Sequence, residues 1–323
     1  MKYKAIAFIS FFLLLGFGSS TFALDISLEG SLGNMVFDTS RVTALSDGNQ
    51  PFAELLYISG TAKLEQPIAD SALFAVIFNR DPILRNSLYT TVSFDTGYAK
   101  IAVGPFFGLF NAASSLITSG LSTTLTMTLP GVLYGTFRSD TTIGAGITVP
   151  GDYVQQRSEM AFGVWGPNTL TSFRLSTKTF TLKQTASLTT VDSVTNYDMV
   201  TEVFKKNVPY TAIITLGYQS LKRSYISAST SIDELAALMI GMNATFRFSD
   251  AFKIMGGARS PLYAWGVGSL KSPASTAVLY EGIIGIVISA DNIKLPTRRA
   301  LSIGKDINAA PDEKSETASE AAQ

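Results

Sequence analysis

Residues 120–140, GLSTTLTMTLPGVLYGTFRSD, alternate in polarity with a period of two. The two faces of this stretch carry Leu121, Leu125, Met127, Leu129, Leu133 and Phe137 on one side and Ser122, Thr124, Thr126, Thr128, Thr136 and Arg138 on the other. This period predicts one β-strand over residues 121–138, although strands of globular proteins have about 5 to 6 residues. Because proline cannot donate to a β-ladder, Pro130-Gly131 predicts a bulge or kink in the middle of the strand.

Residues 1–23 have the pattern of a cleavable export signal. Lys2 and Lys4 precede an apolar stretch over residues 5–17, and small residues lead to Ala23. A basic start, an apolar stretch of about 7 to 15 residues and small residues before the cleavage point are typical of secretory signals. We expect cleavage after Ala23 rather than an uncleaved anchor, because a spanning helix needs about 20 apolar residues.

Composition restricts the chemistry of the chain. It has no cysteine and no histidine, which excludes disulfides and every catalytic arrangement that depends on those residues. We therefore expect no enzyme, no cofactor and no bound metal, and no nucleic acid among the partners. Charged residues make up 15% of the chain, below the roughly 25% of soluble domains. The mean hydropathy is +0.25, yet no stretch after the signal approaches the 18 apolar residues of a spanning helix.

The alternation recurs from Leu24 onward and divides residues 24–289 into fourteen predicted strands. Twelve strands remain an alternative if the seventh, or the tenth with a neighbour, is misassigned. Connections after odd-numbered strands are mostly long, as at 38–51, 184–196 and 222–234, whereas those after even-numbered strands are tight turns. The predicted strands are 24–37, 52–65, 70–80, 87–95, 98–110, 121–138, 141–149, 153–165, 169–183, 197–206, 209–221, 235–249, 252–265 and 276–289.

These patterns predict an all-β fold, an antiparallel transmembrane β-barrel of about fourteen strands with an apolar outside and a polar lumen. Residues 290–323 lose the alternation, are rich in Ala, Ser and Glu, and predict a flexible polar C-terminal tail. Aromatic residues near the predicted strand ends suggest two belts at the membrane interfaces. The belts comprise Phe94, Phe137, Trp165, Phe204, Tyr210, Phe248 and Phe252 at the short-turn side and Phe37, Phe52, Phe110, Tyr153, Tyr197 and Tyr225 at the other.

The charged residues on the polar faces form the candidate functional site. Basic residues outnumber acidic ones on these faces, which predicts a water-filled channel with a mild anion preference. An equally supported alternative is a structural network of paired charges, with Glu159 near Arg157 or Arg174. The candidate pore-lining residues are Lys63, Lys100, Arg138, Arg157, Glu159, Arg174, Lys178, Arg247 and Arg259.

In size and patterning, residues 24–289 resemble the small monomeric porins of Gram-negative-type outer membranes. The resemblance is architectural and involves no motif. It implies an outer-membrane location, contact with the lipid bilayer, insertion by the outer-membrane assembly machinery and passage of small solutes, and it leaves the oligomeric state open. Such barrels usually end on a strand with a terminal aromatic residue, whereas here IGIVISA is followed by the tail. This departure suits a divergent lineage such as a spirochaete.

The leading hypothesis is an outer-membrane channel for small hydrophilic solutes. One alternative is a non-conducting surface barrel whose loops 38–51, 184–196 and 222–234 bind a partner. Another is an outer-membrane transporter of hydrophobic compounds, although the alternation begins at Leu24 and leaves no residues for an N-terminal plug. A soluble periplasmic β-protein is disfavoured by strand length. Many of the predicted strands are longer than the roughly 9 to 11 residues that cross a bilayer, and soluble β-sandwiches rarely contain such strands.

Overall fold

The computed structural model describes residues 23–33, 56–81, 83–109, 118–143, 147–204, 208–267 and 281–290. None of these residues belongs to a helix that is long and apolar enough to span a membrane. The predicted signal before residue 23, the loop 38–51 and the tail after residue 290 lie outside the described residues. The fourteen strands within them are β1 (Ala23–Gly33), β2 (Leu56–Ala69), β3 (Ala72–Asp81), β4 (Arg85–Asp95), β5 (Ala99–Gly108), β6 (Thr118–Leu129), β7 (Leu133–Thr142), β8 (Tyr153–Trp165), β9 (Thr169–Lys183), β10 (Thr189–Phe204), β11 (Tyr210–Ile226), β12 (Thr230–Arg247), β13 (Phe252–Val267) and β14 (Glu281–Ala290).

The strands form one closed antiparallel barrel. Each strand pairs with its neighbours in the sequence, and β1 pairs with β14 to close the sheet. The closing ladder runs from Leu24 opposite Ala290 to Gly33 opposite Glu281. The predicted class, an all-β antiparallel barrel, is confirmed. Because a closed sheet has no edge strand, the ladders pair its backbone groups internally, as a wall in hydrocarbon requires.

Residues 118–142 form a hairpin and not the single long strand that the alternation predicts. The amide of Val132 donates to the carbonyl oxygen of Leu129 at 3.0 Å, and Gly131 has a φ of +72°. Leu129 and Leu133 lie opposite each other across the turn. A turn of three residues keeps both leucines on the same face of the sheet, so the chain reverses direction while the alternation continues.

Two further predictions fail with this hairpin. The predicted bulge at Pro130 is a turn, and the predicted turn at Ser139-Asp140 lies inside β7. Phe137 consequently lies in the middle of β7 rather than in a belt at its end.

Gly131→Ala is expected to lower the free energy of unfolding by about 1 kcal/mol, because an L-residue adopts a positive φ only at a cost. The cost is conformational alone, since no atom lies within 4 Å of the position that a Cβ would take. Gly256→Ala is the matched control, because its φ is not positive and a Cβ there would lie 3.8 Å from the carbonyl oxygen of Ile283. Urea unfolding of the refolded protein measures both variants, and equal midpoints would contradict strain at Gly131.

The barrel wall is higher on one side than on the other. Strands β3–β7, the short wall, contain 10 to 12 residues each, whereas strands β8–β13, the tall wall, contain 13 to 18. The connections at 184–188 and 227–229 are tight turns. The long loops predicted over 184–196 and 222–234 are therefore wrong, because most of their residues extend β10, β11 and β12 of the tall wall.

The outer face of the tall wall changes polarity partway along its strands. At the turn end, where residues 166–168 and 248–251 connect strands, the outward side chains are apolar and exposed, as in Phe162, Leu216 and Met242. Towards the opposite end, which we call the mouth, they are mainly hydroxylated, amidated or charged. The outward polar residues near the mouth are Gln156, Ser158, Thr177, Thr179, Thr181, Ser193, Thr195, Ser220, Lys222 and Ser224.

Inside the barrel the apolar residues are concentrated behind this polar outer surface. A buried apolar cluster joins the mouth half of the tall wall to Ile83 of the short wall. Its members are Ile83, Tyr153, Phe180, Val194, Leu221, Leu235, Ala237 and Met239. The lower half of the wall thus has the polarity of a membrane barrel, and the mouth half has the polarity of a barrel that is surrounded by water.

Aromatic side chains border the apolar part of the outer face. Along β12, Leu238 and Phe246 are eight residues apart, which corresponds to about 20 Å of height in a strand tilted by about 40°. This height is close to the apolar band of about 25 Å in outer-membrane barrels. The ring contacts at the upper border join Tyr197 to Tyr218 at 6.0 Å, Tyr218 to Trp265 at 5.9 Å and Tyr263 to Trp265 at 5.8 Å. Those at the turn end join Phe246 to Phe248 at 4.7 Å and Phe248 to Phe252 at 5.7 Å.

Two of the residues predicted for the upper belt do not belong to it. Tyr153 is 3% exposed and points into the lumen, where it joins the apolar cluster. Tyr225 lies opposite Thr190 in the ladder and shares the inward face of its strand. Phe37, Phe52 and Phe110 lie outside the described residues.

Candidate functional site

The nine candidate pore-lining residues share the inward phase of their strands, and most of them form ion pairs. Six of the cations meet a carboxylate at 3.0 Å or less, and Glu159 is the partner of Arg157, as the alternative of a paired network predicts. The pairs are Lys63–Glu65 at 2.6 Å, Arg138–Asp140 at 3.0 Å, Arg157–Glu159 at 2.7 Å, Arg174–Glu202 at 2.5 Å, Lys178–Asp81 at 2.5 Å and Arg259–Asp198 at 2.8 Å.

The remaining two candidates, Lys100 and Arg247, differ from the paired cations. Lys100 lies opposite Asp95 and Thr126 in its ladders, and no described carboxylate lies within ion-pair distance of its amine. Arg247 is 3.8 Å from Asp250 at an exposed turn, an arrangement that contributes little to stability. These two residues therefore lie outside the network of short ion pairs in the lumen.

Most of the carboxylates in this network are not among the predicted pore-lining residues. Asp81, Asp140 and Asp192 lie in segments that were predicted to be connections, but the structure places all three in strands and on the inward face. Asp192 forms a bidentate pair with Arg223, with contacts of 2.6 and 2.8 Å. The predicted excess of basic residues in the lumen does not include these partners.

In the lower half of the lumen, glycines leave room for the paired charges. A Cβ on Gly217 would overlap Oδ1 of Asp198, and a Cβ on Gly241 would lie 3.4 Å from Cγ of Arg259. Asp198 on β10 and Arg259 on β13 are consequently able to meet across two intervening strands. Arg174 is 41% exposed although it pairs with Glu202, so solvent reaches this part of the lumen.

At the mouth, the tall wall contacts the end of the short wall. We call the contact between them the seam and define it by the turn Asp81–Arg85 with Gly108 on one side and by Tyr153, Gln155 and Lys178 on the other. Lys178 Nζ donates to Asp81 Oδ2 at 2.5 Å, and Gln155 Nε2 donates to the carbonyl oxygen of Leu84. The Tyr153 hydroxyl donates to the carbonyl oxygen of Gly108 at 2.5 Å.

Local hydrogen bonds fix the short-wall turn in the seam. Asp81 Oδ1 accepts hydrogen bonds from the amides of Ile83 at 2.8 Å and Leu84 at 3.0 Å. Leu84 is 2% exposed, and Ile83 joins the apolar cluster of the tall wall. Apolar side chains of the turn thus pack against the tall wall, while one aspartate accepts hydrogen bonds from its backbone and binds the opposite wall.

A second packed group supports the short wall beneath the seam. The rings of Tyr89 and Phe106 are 5.6 Å apart, and both side chains are almost fully buried. The guanidinium of Arg138 lies 4.8 Å from the centre of the Tyr89 ring while it binds Asp140. Asp140 also accepts a hydrogen bond from the Ser122 hydroxyl at 2.6 Å. The lumen is therefore packed on this side as well.

The connection before β8 is held by a single carboxylate. Asp152 Oδ2 accepts hydrogen bonds from the amides of Val149 and Thr148, each at 2.8 Å. These backbone donors lower the pKa of Asp152, because they stabilise its charged form. An aspartate with a lowered pKa stabilises the fold above its ordinary pKa and loses that contribution as the pH falls through the lowered value.

Asp152→Ala is expected to lower the hydrogen-exchange protection of the Thr148 and Val149 amides about tenfold at neutral pH. In the wild-type protein this protection should stay constant above pH about 4, the ordinary aspartate value, and fall below it. The variant should lack that pH dependence. Asp250→Ala, at a turn where the carboxylate is 87% exposed, is the control. A wild-type profile that is flat down to pH about 2 would contradict this role.

Comparisons with known proteins give no match to a family model or to a curated protein. Among solved structures, OmpT of Vibrio cholerae, folded in vitro, is 9% identical, with a TM-score of 0.43, covering 83% of this chain and 96% of its own. An outer membrane channel from Pseudomonas putida F1 is 9% identical, with a TM-score of 0.43, covering 84% and 95%. A porin is 9% identical, with a TM-score of 0.42, covering 84% and 100%. The strand pairing of this chain by itself defines the barrel.

Proposed function

We propose that the chain is an outer-membrane β-barrel channel for small hydrophilic solutes. The observation that carries the proposal is the polarity of the lower wall, whose outer face is apolar while its inner face holds ion pairs, hydroxyls and glycines. A passage for water-soluble molecules through hydrocarbon needs this arrangement. Export by the N-terminal signal, insertion by the outer-membrane assembly machinery and a non-enzymatic role are parts of the same proposal.

The contacts of the seam would make the proposed channel a gated one. Apolar constrictions exclude water and ions, and the buried cluster around Ile83 and Phe180 would act as such a constriction. Solutes would pass only while the turn Asp81–Arg85 is withdrawn from the tall wall. The paired charges of the lower lumen support only a mild ion preference, and the unpaired Lys100 favours anions.

Planar-bilayer recording of the purified protein tests this function. We expect discrete, brief openings and a reversal potential in a salt gradient that shows a small preference for anions. Heat-modifiable migration on gels, measured on the same preparation, confirms that the protein is folded as a barrel. A folded preparation without openings would contradict the channel and would favour the second candidate, a non-conducting surface barrel, which the contacts across the mouth also support.

A further inference from the structure

A glycine interrupts the large side chains on the outer face of the short wall near the turn end. Gly135 on β7 lies opposite Met127 on β6 and Phe162 on β8, and all three residues are in the outward phase of their strands. The outward neighbours of Gly135 along β7 are Leu133 and Phe137, which are 52% and 43% exposed. Gly135 is therefore the floor of a recess that large apolar side chains border on four sides.

Neither the backbone conformation nor the packing requires a glycine at this position. The φ of Gly135 is not positive, and a Cβ there would lie 3.9 Å from the Met127 and Phe162 side chains and from the carbonyl oxygen of Ala161. A glycine inside a strand weakens the strand and often marks a place that a ligand approaches closely. What this glycine supplies is open space above the wall.

A cavity of about 600 Å³ occupies that space. It extends across the outer faces of β5–β9, which corresponds to about 19 Å at the usual strand spacing. None of the described residues that line it is charged, and the Thr171 hydroxyl at its border shares a hydrogen bond of 3.3 Å with the Thr201 hydroxyl. We call this cavity the notch, and its outward lining residues are Ala99, Met127, Leu129, Leu133, Gly135, Phe162 and Val164.

The position and the width of the notch favour one kind of occupant. It lies on the apolar part of the outer wall, beside the turns at 96–98, 130–132 and 166–168, so hydrocarbon covers it in a membrane. Because Met127 and Phe162 each lie 3.9 Å from the place of the missing Cβ, the floor is about as wide as one carbon atom. A methyl-branched chain is too wide for such a floor, and the convex wall of a second barrel would not reach it.

We propose that the notch binds one straight acyl chain of a phospholipid from the leaflet at the turn end. The chain supplies the dispersion contacts that an unfilled recess would lose at Gly135 and its neighbours. Tyr98, which is 68% exposed where the notch meets the turn end, lies at headgroup depth, where rings with a polar end are stable. This inference goes beyond the channel and rests only on the proposed insertion into a membrane.

Native mass spectrometry of the full-length protein in detergent tests the site without requiring conduction. The probes are dipalmitoylphosphatidylcholine, which has straight chains, and diphytanoylphosphatidylcholine, which has the same headgroup on methyl-branched chains. We expect the protein to retain one molecule of the straight-chain lipid at a concentration about tenfold lower than the branched lipid. Gly135→Leu, whose side chain fills the notch, should abolish this difference. Gly256→Leu is the matched control and should preserve it, because Gly256 is an outward glycine of β13 that does not line the notch.

Each outcome separates the site from the channel. Equal retention of the two lipids by the wild-type protein would indicate annular lipid only and would overturn the inference, even if Gly135→Leu does not fold. A difference that persists in Gly135→Leu would also overturn it, because the bound chain would then lie elsewhere. A protein dimer that Gly135→Leu dissociates and Gly256→Leu does not would overturn it by assigning the notch to a second copy of the chain. Selective retention by a protein that shows no openings in a bilayer would refute the channel and retain the acyl-chain site.

Discussion

Leu216→Arg is expected to destabilise the membrane-inserted barrel by about 2–4 kcal/mol, the cost of a basic side chain on the lipid face at mid-depth. Leu216 is 46% exposed on the outer face of β11, opposite Ile240 and within the apolar band. Urea unfolding in lipid vesicles measures the loss.

Thr215→Arg supplies the control at the same height. Thr215 is the adjacent residue, so its side chain faces the lumen, where it lies opposite Gly241. An arginine there has space and water, and we expect a change below about 1 kcal/mol. Similar losses from both substitutions would show that the outer face of β11 does not contact lipid.

Lys178→Met is expected to open the mouth. Its removal leaves the Asp81 carboxylate, 8% exposed, in the seam without its cation. Breaking a buried ion pair from one side costs about 3 kcal/mol, equivalent to a factor of roughly a hundred between the closed and open states. Single-channel recordings should therefore show a large rise in the open fraction.

A second substitution separates the charge from the packing. In Lys178→Met with Asp81→Asn, no buried charge is left unpaired, and the open fraction should fall back towards the wild-type value. Lys63→Met is the matched control, since its partner Glu65 lies on the same strand and away from the seam. An unchanged open fraction in Lys178→Met would exclude the seam as the gate.

The barrel was predictable from sequence, but one reversal of the chain was not. The alternation of polar and apolar residues indicates which face of the sheet a side chain occupies, because one face contacts an apolar environment and the other a polar one. It does not report direction. Leu129 and Leu133 are outward on two different strands, and three intervening residues keep them in phase. Pro130-Gly131 was the only local signal of the turn, and a mid-strand bulge explained it equally well.

The predicted ends of β10, β11 and β12 show a different limit. The predicted strands reach only Tyr197, Leu221 and Leu235, whereas the observed strands extend to Thr189, Ile226 and Thr230. Between these points the apolar residues change from the outer to the inner face of the strand. If every strand is assumed to keep its apolar residues on one face, this change is mistaken for a loop. The same error hid Asp192 and Arg223, and with them part of the neutralising charge of the lumen.

The change of solvent along the tall wall also determines how deeply the protein sits. If the barrel moved towards the mouth side by the spacing of two successive outward residues, Phe173 and Met199, each about half exposed, would move from the hydrocarbon towards water. Lowering it by the same step would strip water from the hydroxyls of Thr177 and Thr195. Both displacements are unfavourable, so the position of the barrel along the membrane normal is defined to about the spacing of two successive outward residues, roughly 5 Å. The seam is thereby held at a constant height above the bilayer.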